Sequence, residues 1–428
     1  METYPLAQSP KLPSSAFAVW KKLRESGYHC LCAGGFVRDF LLNQPSEDVD
    51  LATSATPQQV SELFARTLPL GKRFGSVVVL VEEEGITHAI EVTTFRSDGI
   101  YLDGRRPESI TASNPEEDAK RRDFTINGLF YDPENQAIID YVQGLKDLEE
   151  GILKAIGDPW KRFEEDRLRI LRGVRFACRL GYSIEQTTFE AMRSVSYSVS
   201  HCVSPERIWQ ELVRIDGDQK FNEAMTLFHQ LGLLSYLFHL ELEESELSKR
   251  LNLIRTSLPL VLKLALLWDH QLRFSHDCTL ALSHLKLSRR DLFLLEQMEK
   301  GLHWLDTLDH PLQSIEAIQW VQKSADDLES LCFVLSQIRS SKADALFWQQ
   351  LLSHPLTVHL CEEGPLFKAQ DLKPYHVPSG RGMGQLLQWL HEQAALYRTS
   401  DKTYILSLLE NSDRGQKRLQ EAQKGQSI

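Results

Sequence analysis

Residues 33–53, AGGFVRDFLLNQPSEDVDLAT, decide how the rest of the chain is read. The residues just before them, YHCLC at 28–32, are largely apolar and read as a buried strand. After Gly34 and Gly35, the spacing of Val37, Phe40, Leu41 and Leu42 predicts a short helix. A glycine pair between a strand and a helix start lets backbone N–H groups approach an anion, and the helix terminus adds favourable partial charge. Arg38, in the first turn, offers a bidentate phosphate contact. A dozen residues on comes Glu47-Asp48-Val49-Asp50. On an extended chain, residues two apart share a face, so Asp48 and Asp50 point the same way. Two carboxylates so placed suit Mg²⁺, a hard cation that keeps waters and substrate phosphates in its shell. A phosphate cradle beside a carboxylate pair is what metal-assisted attack on a nucleoside triphosphate requires. A glycine pair alone marks a turn, and DxD alone marks a solvated strand face. The order strand, Gly-Gly, Arg-Asp, DxD favours chemistry.

The remaining composition sets the bounds. A chain of 428 residues implies two to four domains. Hydrophobic content of 42% with 25% charged residues is that of a soluble globular protein. No apolar run reaches the length of a membrane span, and METYPLAQSPKLPSS lacks the apolar core of a signal peptide. The seven cysteines show no CxxC spacing, so neither a disulfide framework nor a zinc site is indicated, and a reducing cytoplasm fits. Cys30 and Cys32 alternate in the first strand as packing residues. A net charge of −11 argues against a protein that coats nucleic acid. RNA contact then needs arginines clustered locally.

Residues 14–26 read as an amphipathic helix. Thr56 as N-cap with Pro57 at the first position opens another helix, running to about residue 65. Residues 76–80 and 88–94 are β-branched runs flanking Glu82-Glu83-Glu84-Gly85, a hairpin signal. Glu91, in the second run, is either a third carboxylate opposite the aspartate pair or a solvent-facing strand residue. Residues 97–117 show no periodicity and read as one long loop, either with Asp103, Arg105 and Arg106 as its working groups or merely solvated. Arg121 and Arg122, read as preceding an apolar helix, are placed to meet triphosphate oxygens while Asp123 holds one of them.

In residues 164–176, EEDRLRILRGVRF, the residues Leu168, Ile170, Leu171, Val174 and Phe176 form a helical apolar stripe. Asp166, Arg169, Arg172 and Arg175 recur every three residues and predict a polar ridge on the same helix. An aspartate accepts a hydrogen bond, and an arginine offers fixed parallel donors. Cytosine and adenine both present an amino donor beside a ring acceptor, so an Asp–Arg pair one turn apart satisfies either. Guanine and uracil put a carbonyl where the amino group belongs, and a site of buried polar groups rejects them. The ridge is either a solvated face of i,i+3 ion pairs or a base-reading surface, in which Asp166 and Arg169 are the template pair and Arg172 and Arg175 lock it or meet phosphate. Ser204 and Pro205 start a further helix whose Glu206 and Glu211 brace the arginines. From about residue 216 the pattern is helical, without a zinc or DNA-binding motif. The order of Asp269 and His270 is wrong for a His-Asp metal pair, which argues for a structural helix over a phosphohydrolase site. The polar stretch 414–428 reads as a frayed end.

GGFVRD…DVDLAT, RRDFTIN at 121–127, EDRLR at 165–169 and SPERI at 204–208 resemble the motifs of the class II tRNA nucleotidyltransferase and bacterial poly(A) polymerase family, within the polymerase-β-like superfamily. The resemblance runs over essentially the whole chain. It implies an α+β protein: a mixed-sheet nucleotidyltransferase head (1–150), then an all-α neck (151–215), body (216–350) and tail (351–428), the tail meeting tRNA. It further implies that Asp48 and Asp50 hold two Mg²⁺ ions that activate a 3′-hydroxyl and stabilise the leaving oxygens. Gly35, Arg38 and Arg122 would position the triphosphate, and Asp166 with Arg169 would select C and A, aided by Arg172 and Arg175. The implied substrates are CTP and ATP and the partner is the 3′ end of tRNA, with no membrane or DNA. Loop 97–117 matches a loop retained by enzymes that add the terminal A and shortened in those adding only C. Leu70-Gly71-Lys72-Arg73-Phe74 partly matches the signature of the poly(A) polymerase branch, so that activity and an A-adding-only enzyme stay as alternatives. A silent RNA-binding relative is the remote one, and the intact Asp48, Asp50 and EDRLR speak against it.

Overall fold

The computed structural model describes residues 1–6, 10–46, 48–69, 75–99, 110–268, 282, 284–307, 315–338 and 342–424. The chain divides into two compact units, Met1–Glu241 and Leu242–Ile428. The fold is α+β, with the described sheets all in the first unit.

The described strands of the first unit are β1 (Glu2–Pro5), β2 (Cys30–Ala33), β3 (Asp50–Thr53), β4 (Thr67–Pro69), β5 (Ser76–Glu83), β6 (Ile86–Thr94), β7 (Arg96–Asp98), β8 (Ile110–Ala112), β9 (Phe130–Asp132), β10 (Ala137–Asp140), β11 (Ile152–Leu153) and β12 (Ser183–Ile184). Eight of them form one mixed sheet in the order β1-β10-β9-β2-β3-β6-β5-β4. β3 pairs antiparallel with β2, Ala33 opposite Asp50, and parallel with β6, Leu51 opposite Val92. Because side chains alternate along a strand, burying Leu51 and Val92 on one face sends Asp50 and its neighbour Glu91 to the other. The register alone thus sets two carboxylates side by side.

The helices of this unit are α1 (Ser14–Glu25), α2 (Gly35–Leu41), α3 (Pro57–Leu63), α4 (Pro115–Lys120), α5 (Gly144–Glu150), α6 (Pro159–Glu165), α7 (Leu168–Leu180), α8 (Gln186–Val195), α9 (Val199–Cys202), α10 (Pro205–Gly217), α11 (Phe221–Gln230) and α12 (Leu233–Phe238). α1 lays Ala16, Val19, Trp20 and Leu23 across β2, β3, β5 and β6, and the Trp20 indole N–H donates to the Cys30 carbonyl at 3.0 Å. Leu31, Ala33, Ala52, Phe95, Ala119 and Phe130 form a second core cluster, with Phe95 and Phe130 edge to face at 6.2 Å. Burying a Leu or Phe side chain of this kind contributes about 1.5–3 kcal/mol. α7 buries Leu168, Ile170, Leu171 and Val174. It comes close to its neighbours because Gly173 has no side chain: a Cβ there would lie 3.0 Å from the Phe124 ring and 3.1 Å from Met192 Cε.

The second unit is helical. Its core includes Trp304, Trp320 and Trp348, the first two edge to face at 5.3 Å and the latter two tilted at 5.8 Å. No helix among the described residues is long and apolar enough to cross a membrane.

Several local expectations need correction. The stretch read as one loop from 97 to 117 holds β8, paired with β7, and α4, capped by Asn114. Arg121 and Arg122 follow α4 rather than precede a helix, because residues 123–132 are buried throughout and run through a 3₁₀ turn (Thr125–Asn127) into β9. The helix from Thr56, its capping box completed by Gln59, stops at Leu63. The helical pattern read from about residue 216 is broken at Gly232, which lies in the left-handed region, between α11 and α12. The end of the chain is helical over Asp413–Gln423: Gly415 sits so close to the preceding helix that a Cβ would lie 2.0 Å from the Leu408 carbonyl oxygen. Asp103, Arg105, Arg106, residues 70–74 and the Asp269-His270 pair lie outside the described residues.

Candidate active site

A cavity of about 830 Å³ opens in the first unit. Every residue of the predicted site lines it: Gly35, Arg38, Asp48, Asp50, Arg122, Asp166, Arg169, Arg172 and Arg175, together with Glu91. Nine arginines and six carboxylates face this one space. In an acidic chain this concave surface thus carries more positive than negative groups, as RNA or nucleotide contact would demand.

At one end stand Asp48, Asp50 and Glu91. Val49 is buried while the aspartates on either side face the cavity, as the alternation predicts. Burial first, then the nearby Glu91 and Asp48 charges, push the Asp50 carboxyl up to about 6, with Arg122 acting the other way. Crowded carboxylates of this kind are a donor set for a hard divalent cation. Among the described residues no three His, Cys, Asp or Glu side chains close up as a metal site by themselves.

Gly34 makes the end possible. Its φ of +68° and ψ of −132° belong to a region that residues with a Cβ rarely visit, and a Cβ would lie 3.1 Å from Arg122 Nη1 and 3.7 Å from Asp50 Oδ2. We expect Gly34→Ala to cost roughly 1–3 kcal/mol of stability from backbone strain. It should also displace the Arg122 side chain. A variant with wild-type melting and an unmoved Arg122 in its crystal structure would show that neither constraint holds.

The arginines are held in a specific way. Arg122 donates to Asp118 Oδ2 from Nη2 at 3.0 Å and from Nε at 3.3 Å, and Arg121 reaches Oδ1 of the same carboxylate at 2.7 Å. Asp118 is fully buried, and Arg122 with Arg121 holds its carboxyl below the usual range despite that burial. Arg38 is buried; its Nε and Nη2 donate to Asp39 and its Nη1 to the Asn127 side chain at 2.6 Å. Its guanidinium therefore ties α2 to the segment before β9 while edging the cavity. Nε and Nη2 of Arg172 lie 2.7 Å from Asp123 Oδ2, and against the effect of burial Arg172, the Asn127 amide and the Phe124 N–H together hold Asp123 well below the carboxylate range. Arg175 Nε donates to Glu211 Oε2 at 2.7 Å, so Glu211 braces the arginine helix as expected.

Asp166 departs from its predicted place. It lies in the break between α6 and α7 with extended backbone (φ −147°, ψ 106°), and α7 begins at Leu168. Its carboxylate Oδ1 accepts the Leu168 N–H at 3.0 Å, which satisfies an otherwise unpaired donor of the helix start and stops the helix from extending backwards. Arg169, on the first turn, donates to Glu165 Oε2 at 2.6 Å and to the carbonyls of Arg162 and Arg121 at 2.9 and 3.2 Å. Arg162 in turn donates to the Lys120 and Arg121 carbonyls at 2.7 and 3.3 Å. The turn that follows α4, where Arg121 and Arg122 lie, is thus clasped by Arg162 and Arg169.

Asp118, Arg162 and Arg207 were not singled out from sequence. Asp118 precedes Arg121 and Arg122 by three and four residues, the helical pairing distance, so its signal was present. The carbonyl contacts of Arg162 and the tertiary partner of Arg207 leave no such mark.

Residues 30–154 match the poly A polymerase head domain, and residues 181–245 match the probable RNA and SrmB-binding site of polymerase A. The segment that carries most of the sheet is thus similar to a poly A polymerase head. Curated relatives named CCA-adding enzyme, from Streptococcus uberis and Streptococcus pyogenes serotype M2, are each 41% identical, over 242 and 244 residues. These alignments cover 56% and 57% of this chain but only 59% of either relative. The crystal structure of the Bacillus stearothermophilus CCA-adding enzyme in complex with CTP is similar over 94% of this chain and 98% of its own, at 26% identity and a TM-score of 0.69. A Thermotoga maritima CCA-adding enzyme complexed with tRNA shares the fold at 19% identity and a TM-score of 0.61, over 92% of this chain and 94% of its own. Over residues 30–154 and 181–245, and in its fold, the chain is similar to poly A polymerase and to CCA-adding enzymes.

Proposed function

We propose that this protein adds the C and A residues of CCA to the 3′ end of tRNA from CTP and ATP, releasing pyrophosphate, and does so in the cytoplasm. One observation carries the reading: a carboxylate end (Asp48, Asp50, Glu91) and a base-reading end (Asp166, Arg169) open onto the same arginine-lined cavity. The relatives solved with CTP and with tRNA support the choice of substrates.

In this reading Asp48 and Asp50 would hold Mg²⁺, which supplies charge stabilisation at the phosphate oxygens and makes a hydroxyl more acidic. The chain's own groups do the rest. Arg122, fixed by Asp118, and Gly35, at the start of α2, position the triphosphate, with Arg38 holding α2 in place. Arg169 and Asp166 meet the Watson–Crick edge of cytosine or adenine, and Arg172 and Arg175 fix the helix that carries Arg169. The tRNA 3′-oxygen bonds to the α-phosphorus, the bond from that phosphorus to the β-phosphate bridging oxygen breaks, and the hydroxyl proton goes to water. Residues 151–215 act as neck, 216–350 as body and 351–428 as the tRNA-contacting tail of the same enzyme.

The test supplies labelled CTP and ATP separately to tRNA ending before the first C, the second C and the A. Two Cs followed by one A is the expected result. A single A alone marks an A-adding enzyme, and a long A ladder on any RNA marks a poly(A) polymerase. Asp166→Ala should relax base choice by removing the acceptor for the amino group, and unchanged C and A selectivity would take Asp166 out of base reading.

A further inference from the structure

The base-reading carboxylate already has a partner. Arg207 Nη2 donates to Asp166 Oδ2 at 3.0 Å and Nη1 lies 3.4 Å from Oδ1, a forked contact, while Oδ1 also accepts the Leu168 N–H. A carboxylate offers about four acceptor positions. Three are filled, so one is left for the cavity. Arg207 is itself anchored. It is the third residue of α10, which starts at Pro205, and four residues on, along the same helix face, Glu211 holds Arg175 of α7.

We infer that Arg207 is a specificity-determining positioning residue: its fork fixes the Asp166 carboxylate so that one acceptor, at one angle, meets the amino group of the incoming base. The inference rests on the base-selecting role proposed above. Uracil presents a carbonyl in place of the amino group and an N3–H in place of the ring acceptor. A carboxylate free to rotate can turn its second oxygen toward that N3–H and admit the wrong base. The fork prevents the rotation, because turning the carboxylate breaks two charge-assisted hydrogen bonds at once. Arg207 thus works by negative selection, whereas Asp166 works by recognition.

The experiment compares kcat/KM for UTP and CTP on tRNA ending before the first C, for wild type, Arg207→Ala and Arg207→Lys. The expected result is a UTP to CTP ratio raised roughly ten- to a hundredfold in Arg207→Ala, the scale on which one rejected hydrogen-bonding group discriminates. The rise should lie in UTP use itself and be smaller in Arg207→Lys, which keeps a point charge but not the fork. A purely structural role lowers both rates together and leaves the ratio alone, and that result overturns the inference. If Arg207→Ala does not fold, calorimetric binding of UTP and CTP to Arg207→Lys and Arg207→Gln decides in the same way: closer affinities support the fork, and a wild-type difference overturns it. A wild type that does not distinguish UTP from CTP brings down the underlying reading. A selective wild type with equally selective variants brings down the inference alone.

Discussion

Asp50→Asn should abolish nucleotide addition, by roughly a thousandfold or more, without loosening the fold. The two halves of this result have different causes. Asp50 stands at the cavity end of β3, beside Glu91 in the register and next to Asp48, where the proposed function would have it hold a divalent cation as an oxygen donor. Removing one such donor forfeits several kcal/mol of charge stabilisation in the transition state, and each 1.36 kcal/mol is a factor of ten in rate. The folded state, by contrast, gains nothing from this charge. Burial and two like-charged neighbours raise the carboxyl to about 6, so an isosteric neutral amide relieves a strain at neutral pH. The melting temperature should be unchanged or higher. Mg²⁺ should raise the wild-type melting temperature and not that of the variant. Activity retained by Asp50→Asn, or an equal Mg²⁺ effect on both proteins, would remove Asp50 from the metal site.

Glu211→Ala should produce the largest loss of stability in the first unit. Glu211 is 1% exposed and spans two arginines, Arg175 through Oε2 at 2.7 Å and Arg214 through Oε1 at 2.6 Å. Arg175 is 8% exposed, and burial lowers its affinity for its proton even with Glu211 beside it. Removing the carboxylate leaves a buried guanidinium without its ion partner, a change that costs about 3–5 kcal/mol. At roughly 2–4 °C per kcal/mol for a unit of this size, the melting temperature should fall by about ten degrees. Glu211→Gln keeps one acceptor and should fall less. A shift of a degree or two in Glu211→Ala would mean that Phe176, whose ring centroid lies 4.3 Å from the Arg175 guanidinium, already compensates the charge.

These outcomes also mark what the sequence could convey. The shared face of Asp48 and Asp50 was legible because a strand enforces a two-residue alternation about the buried Val49 and Leu51, whereas Glu91 stayed open because it joins them only through the β3–β6 pairing register. The arginines of α7 were legible for the matching reason in a helix. Asp166 was misplaced because a three-residue recurrence cannot tell a continuous helix from one that stops and restarts. The break depends on a side chain capturing a backbone N–H, which is a local competition rather than a pattern. Arg38 was assigned from its distance to the glycine pair. Its engagement by Asp39 next to it and by Asn127, 89 residues on, shows how adjacency and tertiary pairing together consume donors that sequence counts as available.

The gathering of arginines in one concavity has a consequence for ionic strength. With a net charge of −11, a polyanion at long range meets repulsion, while close to the cavity nine arginines against six carboxylates attract it. At 0.01 M salt the Debye length is about 30 Å, so the repulsive field of the whole chain reaches out and slows approach; near 0.15 M it shrinks to about 8 Å. Contacts inside the cavity are partly buried and are screened much less. Moderate salt should therefore speed productive encounter before higher salt weakens it, giving an association rate that passes through a maximum. A uniformly basic nucleic-acid-binding surface shows only the decline.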